Sequence, residues 1–226
     1  MQQLTLDILP APEPSLDNFV AGPNAEALAI AEELAAGRFP ARTVMYWGPP
    51  GCGKSHLLSA VATAQPAHQW LDPGKPASME PPAGPAVLLA EELPAWGDAS
   101  LQQFFLLLNL LRPRDDVTVL VTAAQPPAGL NLRDDLRTRL ASGLVIGMQL
   151  LSDADKHLAL QVWANARGHK DIEAVSQWLL LHRDRDIRSL MAYLDALDRF
   201  ALQTRRPLTT RLLHEFERNR LPDQGP

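Results

Sequence analysis

Eight consecutive residues, Gly48-Pro49-Pro50-Gly51-Cys52-Gly53-Lys54-Ser55, set glycine, lysine and a hydroxyl at the spacing G-x-x-x-x-G-K-[ST]. That spacing suits a phosphate. Backbone N–H groups of a glycine-rich loop cradle the oxygens, the lysine reaches the β and γ positions, and the hydroxyl ligates Mg²⁺. His56 follows directly and completes the candidate nucleotide-binding set. Such a loop also needs an acid to position the metal, and Glu91 and Glu92 stand together at the end of the best apolar run in the chain. A pair of acids there equally suits a plain surface. Thr122 closes the next β-favouring run, where a hydroxyl either senses the γ-phosphate or the attacking water or simply ends a strand.

Arginines make the second group. Arg133, Arg137 and Arg139 share a short helical stretch from Leu132 to Leu140. In an oligomeric ATPase one such arginine projects into a neighbour's nucleotide and stabilises the transferred charge, an effect of about 10³–10⁵ in rate. For Arg133 and Arg137 a solvated, salt-bridged face is the expectation. Arg188 falls in the first turns of a helix, where a cation opposes the positive end of the dipole unless an anion compensates, so it is the best candidate to reach over a nucleotide. Arg183 and Arg185 have Asp184 and Asp186 at hand. His68, His157, His169, His182 and His214 show no ligand spacing and are read as incidental. The single cysteine, Cys52, excludes an internal disulfide and a multi-cysteine zinc site, and inside the loop it is read as a tolerated small residue ahead of a redox group.

These residues need elements to hold them. Thr43 to Trp47 is a short β-favouring run before the loop, and His56 to Ala62 reads as helix after it, so the loop joins a strand to a helix N-terminus that favours anions. Upstream, an alanine-rich helix runs from Ala25 to about Gly37, with Asn24 as N-cap and Gly37 as stop. Gln69 to Asp72 is a candidate second strand. Five prolines and two glycines from Pro73 to Pro85 make a loop. Ala86 to Ala90 reads as a buried parallel strand ending in the two acids. A helix from Leu101 to Leu111, capped by Asp98 or Ser100, offers Phe104, Phe105, Leu107, Leu108 and Leu111 as an apolar face, and Val117 to Thr122 is a further strand. Alternation of this kind gives a parallel sheet flanked by helices. From Leu150 onward four helices are expected, opened by Ser152 to Asp155, Asp171, Asp186 and Thr209, with no strand.

Residues Met1 to Asp17 differ from both parts. Prolines at 10, 12 and 14 block a helix, while Leu4, Leu6 and Ile8 alternate with polar positions. The segment is either a docking peptide for a partner's groove or an edge strand of the chain's own sheet. The expected division is therefore an extended tail at 1–17, an α/β nucleotide-binding domain at 18–149 and a helical domain at 150–226. A chain of 226 residues with 46% apolar and 21% charged residues has material for such cores. Its formal charge of −5 argues against gripping nucleic acid through the overall field. With neither a secretion signal nor a membrane-spanning run, the expected location is cytoplasmic.

The order of phosphate loop, acid-ended strand, polar-ended strand, arginine cluster and helical lid resembles an AAA+ P-loop module. More narrowly the chain resembles the Hda family, regulators related to the bacterial replication initiator DnaA. The likeness is carried by Gln3 to Ile8, Gly48 to Leu58, Leu130 to Leu140, Leu151 to Lys156 and Arg185 to Arg199. The resemblance implies that Gln3, Leu4, Thr5, Leu6 and Ile8 dock in the sliding clamp of the DNA polymerase. It also implies that Lys54 and Ser55 hold ADP or ATP with Mg²⁺, that Arg139 is an arginine finger acting in trans, and that Arg188 is the sensor of the lid. The implied activity is stimulated hydrolysis of ATP on the DnaA initiator by a clamp-tethered regulator with ADP in its own site and little turnover of its own. A homo-oligomer is compatible with this. A non-catalytic clamp adaptor and an initiator-like ATPase are the alternatives, and the second is disfavoured because no basic recognition helix follows the lid. The chain departs from the family pattern at Glu91, where aspartate is usual, at Ala124, where an acid is frequent, and in the proline-rich 73–85 loop.

Overall fold

The computed structural model describes residues 13–220. The expected clamp peptide, Gln3 to Ile8, lies outside them. The chain divides into two compact units, one comprising Pro14–Leu150 and the other containing everything from Leu151 onward.

The first unit is built on five parallel strands, β1 (Thr43–Trp47), β2 (His68–Trp70), β3 (Ala86–Ala90), β4 (Val117–Ala123) and β5 (Leu144–Gly147), in the order β2-β3-β4-β1-β5. Its helices are α1 (Ala25–Ala35), α2 (Lys54–Ala64), α3 (Asp98–Leu110) and α4 (Asp134–Ala141). All residues of β3 and β4 are buried, which is why β3 reads as a continuous apolar run and β4 is broken only by Thr118 and Thr122. Alternate residues feed two cores. Val44, Tyr46, Val87, Leu89 and Leu120 pack with Ala31 and Leu34 of α1 and Leu57, Leu58 and Val61 of α2. Met45, Leu88, Val119 and Val121 pack with Phe104, Leu107 and Leu108 of α3 and Leu136 and Leu140 of α4. Tyr46 also donates its hydroxyl to the carbonyl of Ala27 at 2.8 Å, and burial pushes the phenol pKa up.

Several local expectations change. Asn24 precedes α1 but makes no side-chain cap. Instead it is buried, exchanging two hydrogen bonds with the backbone of Gln149 (2.9 and 2.8 Å), so it ties the start of α1 to the chain leaving β5. Neither Asp98 nor Ser100 caps α3, which begins at Asp98 after Gly97, and Ser100 donates to the carbonyl of Pro73 at 3.0 Å. The second strand, expected at Gln69 to Asp72, spans His68–Trp70, and β5 is a strand the sequence reading omitted. Gly37, at φ +73, ends α1 as expected. The 73–85 segment is a loop containing one 3-10 turn, Pro76–Met79, and Arg114 fastens its end by donating to the carbonyls of Pro82 and Gly84.

The second unit is helical throughout its described residues: α5 (Asp153–Ala166), α6 (Glu173–His182), α7 (Ile187–Thr204) and α8 (Thr210–Arg220). Ser152 and Asp155 form a reciprocal capping box at the start of α5. The apolar interior draws on all four helices, with Leu160, Trp163, Leu179, Leu194, Leu213 and Phe216 among its members. One polar knot lies within it. Asp198, 2% exposed, accepts from Arg167 and from His169 at 2.7 Å each, and Arg167 and His169 both lie against the Trp163 ring. His169 is therefore a buried carboxylate partner rather than incidental. His157 likewise has partners, Gln161 at 2.9 Å and the buried Ser176 at 2.8 Å.

Candidate functional site

The loop 48–55 leaves the end of β1 and enters α2, as the mechanism of phosphate binding requires. Its glycines answer to local geometry. A Cβ on Gly48 would stand 2.3 Å from the carbonyl oxygen of Met148, so no side chain fits there. Gly51 and Gly53 have φ of +85 and +101, the left-handed backbone that lets successive N–H groups converge on an anion. Lys54 begins α2 and is 5% exposed. Its ammonium donates to the carbonyls of Gly48 (2.8 Å) and Pro49 (3.3 Å) and lies 3.7 Å from a carboxylate oxygen of Glu92. Cys52 is buried, with Sγ 3.9 Å from Nζ of Lys54. Ser55 is exposed in the first turn of α2, and its hydroxyl has no protein partner among the described residues.

The acid-ended strand is brought to the same place. Glu91 is exposed, its carbonyl accepting from the indole of Trp96 at 3.1 Å, and its carboxylate has no partner among the described residues. Glu92 adopts φ +45, a left-handed conformation uncommon for a residue with a side chain. Thr122 holds it there: the Glu92 N–H donates to the Thr122 hydroxyl at 2.8 Å. Thr122 itself is wholly buried, opposite Tyr46 in the ladder. Lys54, Glu92 and Thr122 thus form one connected group.

A fourth contributor comes from Ser15 to Phe19, whose first residues were expected to belong to the extended tail at 1–17 but lie within the sheet unit. Ser15 and Asn18 close a turn by reciprocal bonds, and Phe19 then lies over the loop, 2.8 Å from where a Cβ on Gly53 would be. The Phe19 ring meets His56 edge-on at 5.3 Å, and Nε2 of His56 donates to the carbonyl of Ser15 at 3.0 Å. Burial lowers the His56 pKa against the opposing effect of that hydrogen bond. Phe19 was visible in the sequence only as an apolar residue before α1.

Arg139 is elsewhere. It projects from the last turn of α4, donates to the side-chain carbonyl of Asn109 at 2.8 Å, and borders a cavity with Thr43 and Val119, the paired first-register residues of β1 and β4. The phosphate loop leaves the other end of β1. At roughly 3.3 Å per residue the strand separates the two by about 13 Å or more. Arg133 and Arg137 pair with Asp135 and Asp134, the solvated face expected of them. Within the second unit, Arg188 is exposed, 3.3 Å from Asp186, which compensates the cation at the helix start. Arg183 and Arg185 pair with Glu217 and Asp153, not with the adjacent aspartates, because the neighbouring helices bring those acids closer.

Two comparisons with known proteins bear on this arrangement. Residues 153–216 match the family model described as Hda, lid domain. Domain III of the Thermotoga maritima replication initiation protein DnaA superposes with a TM-score of 0.76 at 18% identity, covering 92% of this chain and 99% of that one. AMPPCP-bound DnaA from Aquifex aeolicus gives 0.70 at 15% identity, with 83% of this chain matching 65% of the other. The RuvB Holliday junction branch migration motor of Thermotoga maritima gives 0.66 at 17% identity, over 91% and 71% of the two chains. At these identities the likeness is one of fold. Residues 153–216 thus match a lid-domain model, and the chain shares its fold with the DnaA and RuvB structures.

Proposed function

We propose that this chain is a negative regulator of chromosomal replication initiation, which binds a nucleotide in its own loop and uses Arg139 to stimulate hydrolysis of ATP held by a DnaA initiator. The observation that carries this reading is the station of Arg139, a full strand length from its own Lys54 yet held near the surface by Asn109. An arginine so sited serves another chain's phosphates or none. The Hda-type lid and the DnaA-like sheet supply the choice of partner.

The residues of the loop fit a nucleotide. Gly48, Pro49, Pro50, Gly51, Cys52, Gly53 and Lys54 surround the phosphates, with His56 behind them, and Arg188 is the lid's contribution. AMPPCP-bound DnaA, whose fold this chain shares, supports the assignment. The hydroxyl of Ser55 and the carboxylate of Glu91, without partners among the described residues, would hold Mg²⁺, which would neutralise phosphate charge there. Glu92 and Thr122 order the floor of the site. In this reading intrinsic turnover is slow and the resting state holds ADP.

The segment before Glu13 is the tether, with Gln3, Leu4, Thr5, Leu6 and Ile8 seated in the groove of the sliding clamp, and the complex works in the cytoplasm. No helix among the described residues is long and apolar enough to cross a membrane. The test is ATP hydrolysis by the initiator in the presence of DNA-loaded clamp. Arg139→Ala is expected to lower the stimulated rate by about 10³-fold or more while the complex still forms. Normal stimulation would remove the catalytic reading and leave a clamp adaptor. Gln3→Ala with Leu6→Ala should abolish capture by the clamp; unchanged capture would make the segment an edge strand.

A further inference from the structure

At the strand-start end of the sheet a cavity of about 320 Å³ opens between α3, α4 and the start of β1. Its lining includes Arg42, Arg112 and Arg139, together with Thr43, Ser142 and Gly143, and among the described residues it includes no acid. None of the three guanidiniums has an ion pair among the described residues. Arg42 donates to the carbonyl of Arg114 at 2.9 Å and Arg139 to Asn109, both neutral acceptors. Asp116, close by in sequence, is committed to Arg114 through two bonds of 2.5 and 2.7 Å. Arg112 and Arg139 lie at the ends of α3 and α4, where the helix dipole offsets about half a charge each. That does not balance three whole charges gathered on one concavity, in a chain whose formal charge is −5.

We propose that this cavity binds an oxyanion of the phosphate class, held by Arg42 and Arg112 alongside Arg139. Planar guanidiniums donate in pairs to phosphate oxygens, and three arginines lining one volume suit a group carrying more than one negative charge. The anion has two sources. It is either a phosphate of the nucleotide on the neighbouring AAA+ partner, in which case the inference rests on the function proposed above, or a free polyphosphate that competes for Arg139.

The experiment has two arms, each with Arg42→Ala, Arg112→Ala and Arg112→Lys in the full chain, with folding checked by circular dichroism. In the first, inorganic pyrophosphate is titrated calorimetrically into protein saturated with Mg²⁺ and ADP, which keeps the nucleotide loop out of the signal. In the second, stimulated hydrolysis of the partner's ATP is measured. Either alanine change is expected to weaken at least one readout by about tenfold or more, with partial recovery for Arg112→Lys. A loss in the first arm identifies a free anion; a loss in the second alone identifies the partner's nucleotide. If neither alanine variant alters either readout, the cavity is not an anion site. An Arg139→Ala protein that stimulates normally would overturn the finger while leaving the pyrophosphate arm as an independent test.

Discussion

At the scale of single residues, the buried hydroxyl of Thr122 fixes the turn beside the 48–55 loop through one hydrogen bond from the Glu92 N–H. Thr122→Val keeps the shape and removes the acceptor, so Glu92 loses the partner that holds its left-handed backbone. The expected cost is about 1–3 kcal/mol in urea unfolding, the range for an orphaned polar group, with no change in secondary structure by circular dichroism. Lys54 presents the opposite case. Its ammonium is held by two loop carbonyls, which contribute to folding, but its larger effect is on phosphate. Lys54→Ala should weaken ADP binding roughly a hundredfold or more in a fluorescence titration, since charge-assisted hydrogen bonds contribute about 1.5–3 kcal/mol each. Stability should change much less.

At the scale of elements, the strand, loop and helix around Gly48 to Ala64 were legible because periodicity, glycine spacing and flanking types all agree. The same holds for β3, an uninterrupted apolar run, and for β4, whose only polar residues are the β-favouring threonines Thr118 and Thr122. Strand β5 escaped because it is an edge strand of four residues with Leu144 and Gly147 exposed, so Leu144-Val145-Ile146-Gly147 carries little alternation. Asn24 has the composition of a cap, yet its side chain is drawn to Gln149, a contact 125 positions away that no local pattern encodes. The Ser15 to Phe19 turn is the same kind of omission, and it is titratable. His56 is neutral and half-buried beneath Phe19, with its pKa lowered by burial from the ordinary 6.5. The folded state therefore binds a proton less readily than the unfolded chain, and stability present above pH 6.5 is lost as pH falls below it. Thermal melts between pH 7.5 and 5.5 should show a larger decline for the wild type than for His56→Gln.

At the scale of the whole molecule, the two compact units rest on different kinds of cores. The sheet unit is apolar on both faces, whereas the helical unit encloses the Arg167, Asp198 and His169 knot. Removing one partner of a buried ion pair strands the other, which costs about 3–5 kcal/mol. Asp198→Ala should therefore raise amide hydrogen exchange across α5 to α8 while leaving β1 to β5 protected, as followed by mass spectrometry. Equal deprotection of both units would show that they unfold as one. The lid was recognisable in sequence from its helix starts, but its knot was not, because Arg167 and Asp198 are 31 positions apart and meet only when α5 packs on α7.

The loop that holds Lys54 and the helix that carries Arg139 occupy opposite ends of the same parallel strands. An interface using that arginine joins unlike surfaces, so it is heterologous and has no two-fold axis. A pair formed in this way is polar: the chain that lends its arginine keeps its own nucleotide loop outside the contact. Such an arrangement closes into a ring where the rotation between neighbours permits and otherwise extends one chain at a time.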